Sequence, residues 1–142
     1  MNLVLDSSLA LTFVLEDEAT PESDAILDSL GSGALAHVPA LWRWEVANGL
    51  LMAERRKRIT SAENHRHLAH LKALPIELDA SAFEEAWSGT QALARKHKLT
   101  IYDAAYLEVA IRHGVALGSL DTGLRAAAKA EGVPLLPARL DG

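Results

Sequence analysis

Four acids stand where one run of the sequence gives way to the next: Asp6 in "VLDSS", Glu45 in "WEVAN", Asp103 in "TIYDAA" and Asp121 in "SLDTG". Carboxylates gathered at one place repel, and without a cation one or more of them takes up a proton. None of these motifs supplies a Lys or Arg as counter-charge. A hard divalent ion is the partner such a set calls for, because Mg²⁺ and Mn²⁺ prefer carboxylate and water oxygens. An ion held this way activates water and steadies the charge of a phosphate under in-line attack. The chain has no cysteine, and His65, His67 and His70 share one helix without other ligands, so no zinc set competes.

Whether the four acids meet depends on the elements that carry them. "NLVL", "ALAHVP", "PIEL", "VALGSL" and "VPLLP" are short apolar runs suited to buried strands, and helical patterns separate them. Thr20 with Pro21 marks one helix start, Thr60-x-x-Glu63 is a capping box for another, and Ser81-x-x-Glu84 predicts a single helix through "SAFEEAWSGTQALARKH". "SSLALTFVLE" reads as one helix after the first strand, and Gly114 closes the helix that follows Thr100. The alternation predicts an α/β fold of three layers, with a mostly parallel five-stranded sheet flanked by about seven helices. In such a sheet the helices begin at the strands' carboxyl edge, where ligands bind and strand order reverses. Asp6 follows the first strand, Asp121 follows the fourth, and Asp103 and Glu45 lie early in their helices. All four are therefore expected at one edge.

Each acid also has a plain structural reading. Asp6 and Asp121 are placed to cap the helices they precede, a role worth about 1 kcal/mol. Asp103 occupies the acid position of a Thr100-x-x-Asp box and complements the helix dipole. Glu45 resists such an account. It shares a stripe with Leu41, Asn48 and Met52, where a carboxylate is expensive unless something pairs with it or the stripe faces solvent.

The 142 residues predict one domain over residues 1–142, and 49% hydrophobic with 23% charged residues is an ordinary globular composition. The opening "MNLVLDSSLALTFVLEDEA" lacks a basic region, and its apolar run is too short to span a bilayer. A cytoplasmic protein without a membrane segment is expected. A net charge of −5 argues against a protein that coats nucleic acid non-specifically, though not against a nuclease.

"VLDSSLAL", "WEVANGL", "TIYDAAYLEVA" and "SLDTGL" resemble, in order and spacing, the acidic motifs of PIN-domain ribonucleases. More specifically, the chain from Asn2 to about Pro137 is similar to VapC-type toxins of bacterial type II toxin–antitoxin pairs. The resemblance implies a PIN-like domain and an endoribonuclease using Mg²⁺ (or Mn²⁺). It places Asp6, Glu45, Asp103 and Asp121 as the catalytic, metal-binding acids, with Ser7 and Asn48 as supporting polar residues. Ser119 stands where the family often has Thr, so a hydroxyl is kept. The partners it implies are an RNA substrate, a small cognate antitoxin and a second copy of the chain in a homodimer.

Other readings compete. A haloacid-dehalogenase-type phosphatase wants a second Asp two residues after Asp6, where Ser8 stands, and a structure-specific DNA nuclease on a related fold is a further alternative. A phospho-accepting receiver module gathers acids at this edge but needs a Lys after the last strand, where "LLPARL" has Arg139. A non-catalytic PIN-like RNA-binding module is opposed by the intact acid quartet. No residue is singled out for RNA binding, since the basic runs at 55–58 and 95–98 read first as helix ends. Phe13, Val14, Trp42, Trp44 and Leu51 are spread around their helices, and part of that surface is expected to await a partner.

Overall fold

Short apolar runs in this chain become strands, the central three of them buried on both sides and the two edge strands less so. The structure, a computed structural model, describes residues 1–140. The elements are β1 (Leu3–Leu5), α1 (Ser7–Thr12), a 3₁₀ turn (Glu16–Glu18), α2 (Pro21–Gly31), β2 (Ala36–Val38), α3 (Leu41–Arg55) and α4 (Ser61–Lys72). They continue with β3 (Ile76–Leu78), α5 (Ser81–Glu85), α6 (Gly89–His97), α7 (Ile101–His113), β4 (Ala116–Gly118), α8 (Thr122–Ala130) and β5 (Leu135–Leu136). The sheet order is β3-β2-β1-β4-β5 and every pairing is parallel. All residues of β1, β2 and β4 are buried, as a sheet covered by helices on both faces requires. From β1 the chain builds outward to β2 and β3, then crosses back to add β4 and β5 on the other side. The order therefore reverses between β1 and β4.

Local signals act where the sequence carries them. The Thr20 and Thr60 hydroxyls each accept the N–H three residues on, and both boxes are reciprocated. Gly114 ends α7 in the left-handed conformation that glycine adopts without strain. Two expected helices are broken, the first leaving a 3₁₀ turn and the second giving α5 and α6, so among the described residues eight α-helices flank the sheet rather than about seven. α1 stops at Thr12, whose buried hydroxyl donates back to Leu9 O at 2.6 Å. Phe13, Val14 and Leu15 then turn inward before the 3₁₀ turn. The long helix expected from Ser81 bends at Ser88 and Gly89, both weak helix formers. Its Ser81-x-x-Glu84 box does not form, because Asp79 takes the cap and accepts Ala82 N–H at 2.8 Å. Asp79 also receives Arg112 of α7, which anchors α5 while α6 packs along α7.

The core runs through Leu3, Val4, Leu5, Leu9, Leu50, Tyr106, Leu107, Leu117 and Leu124. Val14 and Trp42 belong to it and Phe13 packs against it, so of the surface expected to await a partner in part, Trp44 and Leu51 are the exposed members. No helix among the described residues is long and apolar enough to cross a membrane.

Gly118 closes β4 where a Cβ would meet Leu9 at 2.8 Å, Leu3 at 3.0 Å and the Val4 carbonyl at 3.2 Å. Gly118→Ala is expected to lower unfolding free energy by about 1–3 kcal/mol through overpacking. Gly31→Ala, in open space at the end of α2, should leave stability unchanged or raise it. Urea denaturation of both variants checks this, and equal effects would refute it.

Candidate active site

The carboxyl edge at the β1/β4 reversal is built from chain turns that each carry polar side chains. β1 ends at Leu5, and the N–H of Asp6 donates to Gly118 O at the end of β4 at 2.8 Å. Asp6 thus sits in the seam between the two strands and is 4% exposed. Although it occupies the N-cap position of α1, its carboxylate makes no cap bond. It accepts hydroxyls instead: Ser119 at 2.6 Å and Ser8 at 2.8 Å, both on Oδ2. Each of these serines also takes a backbone N–H from the β4–α8 connection, Leu120 N–H to Ser8 at 3.0 Å and Asp121 N–H to Ser119 at 3.1 Å. The two hydroxyls therefore lock the connection to the buried acid.

Glu45 is half-buried on α3, and it does have a partner on its stripe. Tyr106 of α7, fully buried, donates its hydroxyl to Glu45 Oε1 at 2.5 Å. Ser7 lies at 3.4 Å from both Glu45 Oε1 and Asp6 Oδ1, so its single proton is shared weakly between them. Burial raises the Glu45 carboxyl above its ordinary range; the Tyr106 bond works against this, and the charges of Asp6 and Asp103 add to it.

Asp103 is half-buried in the first turn of α7. Thr100 caps that helix by accepting Asp103 N–H at 3.1 Å, but the Asp103 side chain does not complete the expected box. Its carboxyl is raised by burial first, then by Asp121 and Asp6, with the Thr100 hydroxyl acting weakly the other way. Asp121 is the exposed member, and its Oδ1 caps α8 by accepting Leu124 N–H at 2.8 Å. The four acids thus form a gradient, from Asp6 in the seam, through Glu45 and Asp103, to Asp121 at the rim. Asn48, one turn after Glu45 on α3, is exposed and makes none of the site's hydrogen bonds.

The acids are neighbours rather than a finished chelate. Among the described residues no three His, Asp or Glu side chains stand close enough to share one ion in the arrangement seen. One oxygen of Glu45 and one of Asp121 are each committed to a structural bond. Among the described residues, Glu45 Oε2 and Asp121 Oδ2 have no hydrogen-bond donor, and the Asp103 carboxylate has only the weak influence of the Thr100 hydroxyl.

Sequence reasoning missed Ser8 and Tyr106. Ser8 had a signal in the doubled serine of "DSS" at a strand end, where hydroxyls bond nearby backbone. Tyr106 lies three residues after Asp103, hence on the same helix face, but in "YDAAY" it reads as core. A second charged cluster also escaped notice. Asp79 is bridged by Arg112 at 2.9 Å and bonded by His113, which stacks on buried His37 at 4.1 Å between ring centroids. Burial pushes the Asp79 carboxyl up, but Arg112, His113 and the Ala82 N–H outweigh it and hold it well below the carboxylate range. This cluster braces α5 against α7. A cavity of about 360 Å³ between α6, α7 and α8 has charged walls, but Lys96 pairs with Glu131 and Arg112 with Glu108, which leaves no free charge for a ligand. In the basic run at 55–58, Arg58 is occupied by Asp17 and Glu18, both at 2.8 Å.

Fold and edge acids together define an α/β domain with its site at the strand-order reversal. The PIN domain family matches residues 3–130, and the chain belongs to that family. It is 31% identical over 128 residues to ribonuclease VapC3 of Pyrobaculum aerophilum, covering 87% of this chain and 92% of the relative. Two solved structures share the fold. PAE2754 from Pyrobaculum aerophilum has a TM-score of 0.69 at 22% identity, over 96% of this chain and 90% of that one. A toxin–antitoxin complex from Klebsiella pneumoniae gives 0.59 at 18% identity, over 86% and 88%. Family membership sets aside the receiver and phosphatase readings.

Because the folded carboxyls of Glu45 and Asp103 are raised, their ionised forms are less stable folded than unfolded. Their contribution to stability is therefore lost as pH rises from the ordinary carboxyl range through the raised folded values. In chelator, Asp103→Asn should melt higher than wild type at pH 7, and the gap should close as pH falls below about 4. Thermal melts across that range provide the check. A variant that melts lower at pH 7 would assign Asp103 to the helix dipole instead.

Proposed function

We propose that the chain is a Mg²⁺- or Mn²⁺-dependent endoribonuclease, acting as the toxin of a toxin–antitoxin pair. The observation that carries this reading is the set of four acids from distant segments at one sheet edge, two of which, Glu45 and Asp103, are raised by burial and then by neighbouring carboxylates. The 31% identity to a named ribonuclease supports the same activity. The donor set fits a hard cation, since carboxylates and hydroxyls line the edge and neither thiolate nor imidazole is among them. Asp6 and Asp103 would hold the principal ion, while Glu45 and Asp121 complete the site or orient the water. When bound, such an ion supplies an acidified water and steadies the negative charge of the phosphodiester.

The chain's own residues have separable tasks in this reading. Ser8 and Ser119 hold the Asp6 carboxylate in one orientation. Tyr106 turns Glu45 so that Oε1 is occupied and Oε2 is available to position water and accept its proton. A carboxyl raised by burial is a better base than an ordinary one. Asp121 does two jobs, capping α8 with one oxygen and offering the other to the site.

Purified protein should cleave RNA with Mg²⁺ or Mn²⁺ and stop in EDTA. Asp6→Asn, Glu45→Gln and Asp103→Asn should each lower the rate by on the order of 100-fold or more. Asp121→Asn separates the two jobs, because Asn caps as well as Asp. With the cap kept and one like charge removed, it should melt at or above the wild-type temperature and still lose activity. Cleavage undiminished in chelator or in Asp103→Asn would refute the mechanism, and a metal-binding protein inert on RNA would point to a non-catalytic PIN-like module.

The antitoxin partner is argued from the toxin-like motifs and from the fold shared with the Klebsiella pneumoniae toxin–antitoxin complex. Phe13, Val14, Leu27, Leu71 and Leu74 line a shallow apolar cavity of about 280 Å³ between the N-terminal helices and α4. An amphipathic antitoxin segment could seat its apolar face there, and a basic side chain farther along it would have to reach the carboxyl edge to meet the acids. A homodimer is part of the same proposal. Co-expression with a small protein encoded beside this one should yield a stable complex that no longer cleaves RNA. A complex as active as the free chain would rule out occlusion of the site.

A further inference from the structure

Arg125 of α8 is 7% exposed and sits among Leu124, Ala127 and Ala128 on the buried face of its helix. Burying a guanidinium is costly, and here desolvation pushes its pKa down from the ordinary value. An apolar side chain of similar volume would fill this space without that cost. What the guanidinium adds is geometry. Nη1 donates to Ser119 O at 3.0 Å, and Nη2 donates to Ala138 O at 3.4 Å. The two carbonyls come from different segments, the connection leaving β4 and the chain beyond β5. A planar fork can hold both at once, whereas a lysine ammonium at the end of its flexible stem is not pre-organised to do so. Backbone pairing alone ties Ser119 to this neighbour by one bond, its N–H to Leu136 O at 3.1 Å.

Ser119 is the residue on which the acidic edge converges. It is fully buried, its hydroxyl donates to Asp6 Oδ2 at 2.6 Å, and the same oxygen accepts Asp121 N–H at 3.1 Å. A rotation of the Ser119 peptide would move both acids' anchors together. We infer that Arg125 is a positioning residue, which clamps the β4–α8 connection to the segment after β5 and thereby fixes Ser119, Asp6 and Asp121. Its hydrogen bonds go to two main-chain carbonyls and to none of the acids, so it works through the backbone. The inference rests on the metal-dependent ribonuclease reading, and ion affinity gives it a readout separate from cleavage.

The test uses the full chain as wild type, R125M, R125K, S119A and the S119A/R125M pair. Mn²⁺ alone is titrated by calorimetry, kcat and KM are measured on RNA, and folding is followed by thermal melts. R125M should stay folded, keep KM within about 2-fold, and lose roughly 10-fold or more in Mn²⁺ affinity and in kcat, as loss of a ligand-orienting residue does. R125K, able to reach one carbonyl, should fall between. Because the effect passes through Ser119, the double variant should be no worse than S119A by more than about 2-fold. Unchanged Mn²⁺ affinity and kcat in R125M, or full additivity with S119A, would overturn the inference. Should R125M fail to fold, wild-type Mn²⁺ affinity in R125K would do the same. Wild type that binds Mn²⁺ but leaves RNA intact would sink the ribonuclease reading alone, and wild type that binds no Mn²⁺ would remove both.

Discussion

A carboxylate 4% exposed at the end of a central strand must find its hydrogen bonds inside the protein, and Asp6 finds them across the β1/β4 seam. Its N–H is taken by Gly118 and its Oδ2 by the hydroxyls of Ser8 and Ser119. Much else follows from this one satisfied burial. Gly118 must lack a side chain, because Leu3, Leu9 and the Val4 carbonyl crowd the seam. Small hydroxyl residues flank the acid on both sides of the seam, Ser8 at the start of α1 and Ser119 just past β4. The β4–α8 connection is then locked in place, which delivers Asp121 to the rim beside Asp103.

Around that fixed point the structure separates acids that stabilise from acids that strain. Asp79 is surrounded by donors and lies below the usual carboxyl range; its task is to cap α5 and brace α7. Glu45 and Asp103 have burial and like charges for company and lie above it. The first pattern is that of a structural ion network. The second is a concentration of negative potential that a folded protein tolerates where a cation or a developing charge is to be bound. Tyr106 is the one strong donor offered to Glu45, and it orients the carboxylate without neutralising it.

The cap readings, weighed residue by residue, come out differently for each acid. Asp121 is both cap and rim acid. Asp6 occupies a cap position but spends its oxygens elsewhere, and Asp103 leaves its box half-made because Thr100 alone satisfies the turn. Sequence spacing identifies a residue able to cap; it cannot tell whether a more favourable acceptor role lies across the fold. The same limit explains the failed Ser81-x-x-Glu84 box, where Asp79, held by Arg112 thirty-three residues away, took the position first.

What the sequence by itself determined was everything governed by short-range rules. The five apolar strands, the Thr20 and Thr60 caps, the Gly114 stop and the α/β alternation are local consequences of side-chain type and period. The alternation also implied that acids at strand ends and helix starts would share an edge. Tertiary structure alone decided which oxygens of those acids are occupied. Ser119 reaches Asp6 across 113 residues and Tyr106 reaches Glu45 across 61. Arg125 holds the Ser119 carbonyl from the far side of the β4–α8 turn, and Asn48 stays exposed without a hydrogen bond to the acids. Such pairings depend on where parallel strands and packed helices place side chains in space, and no local period encodes that distance.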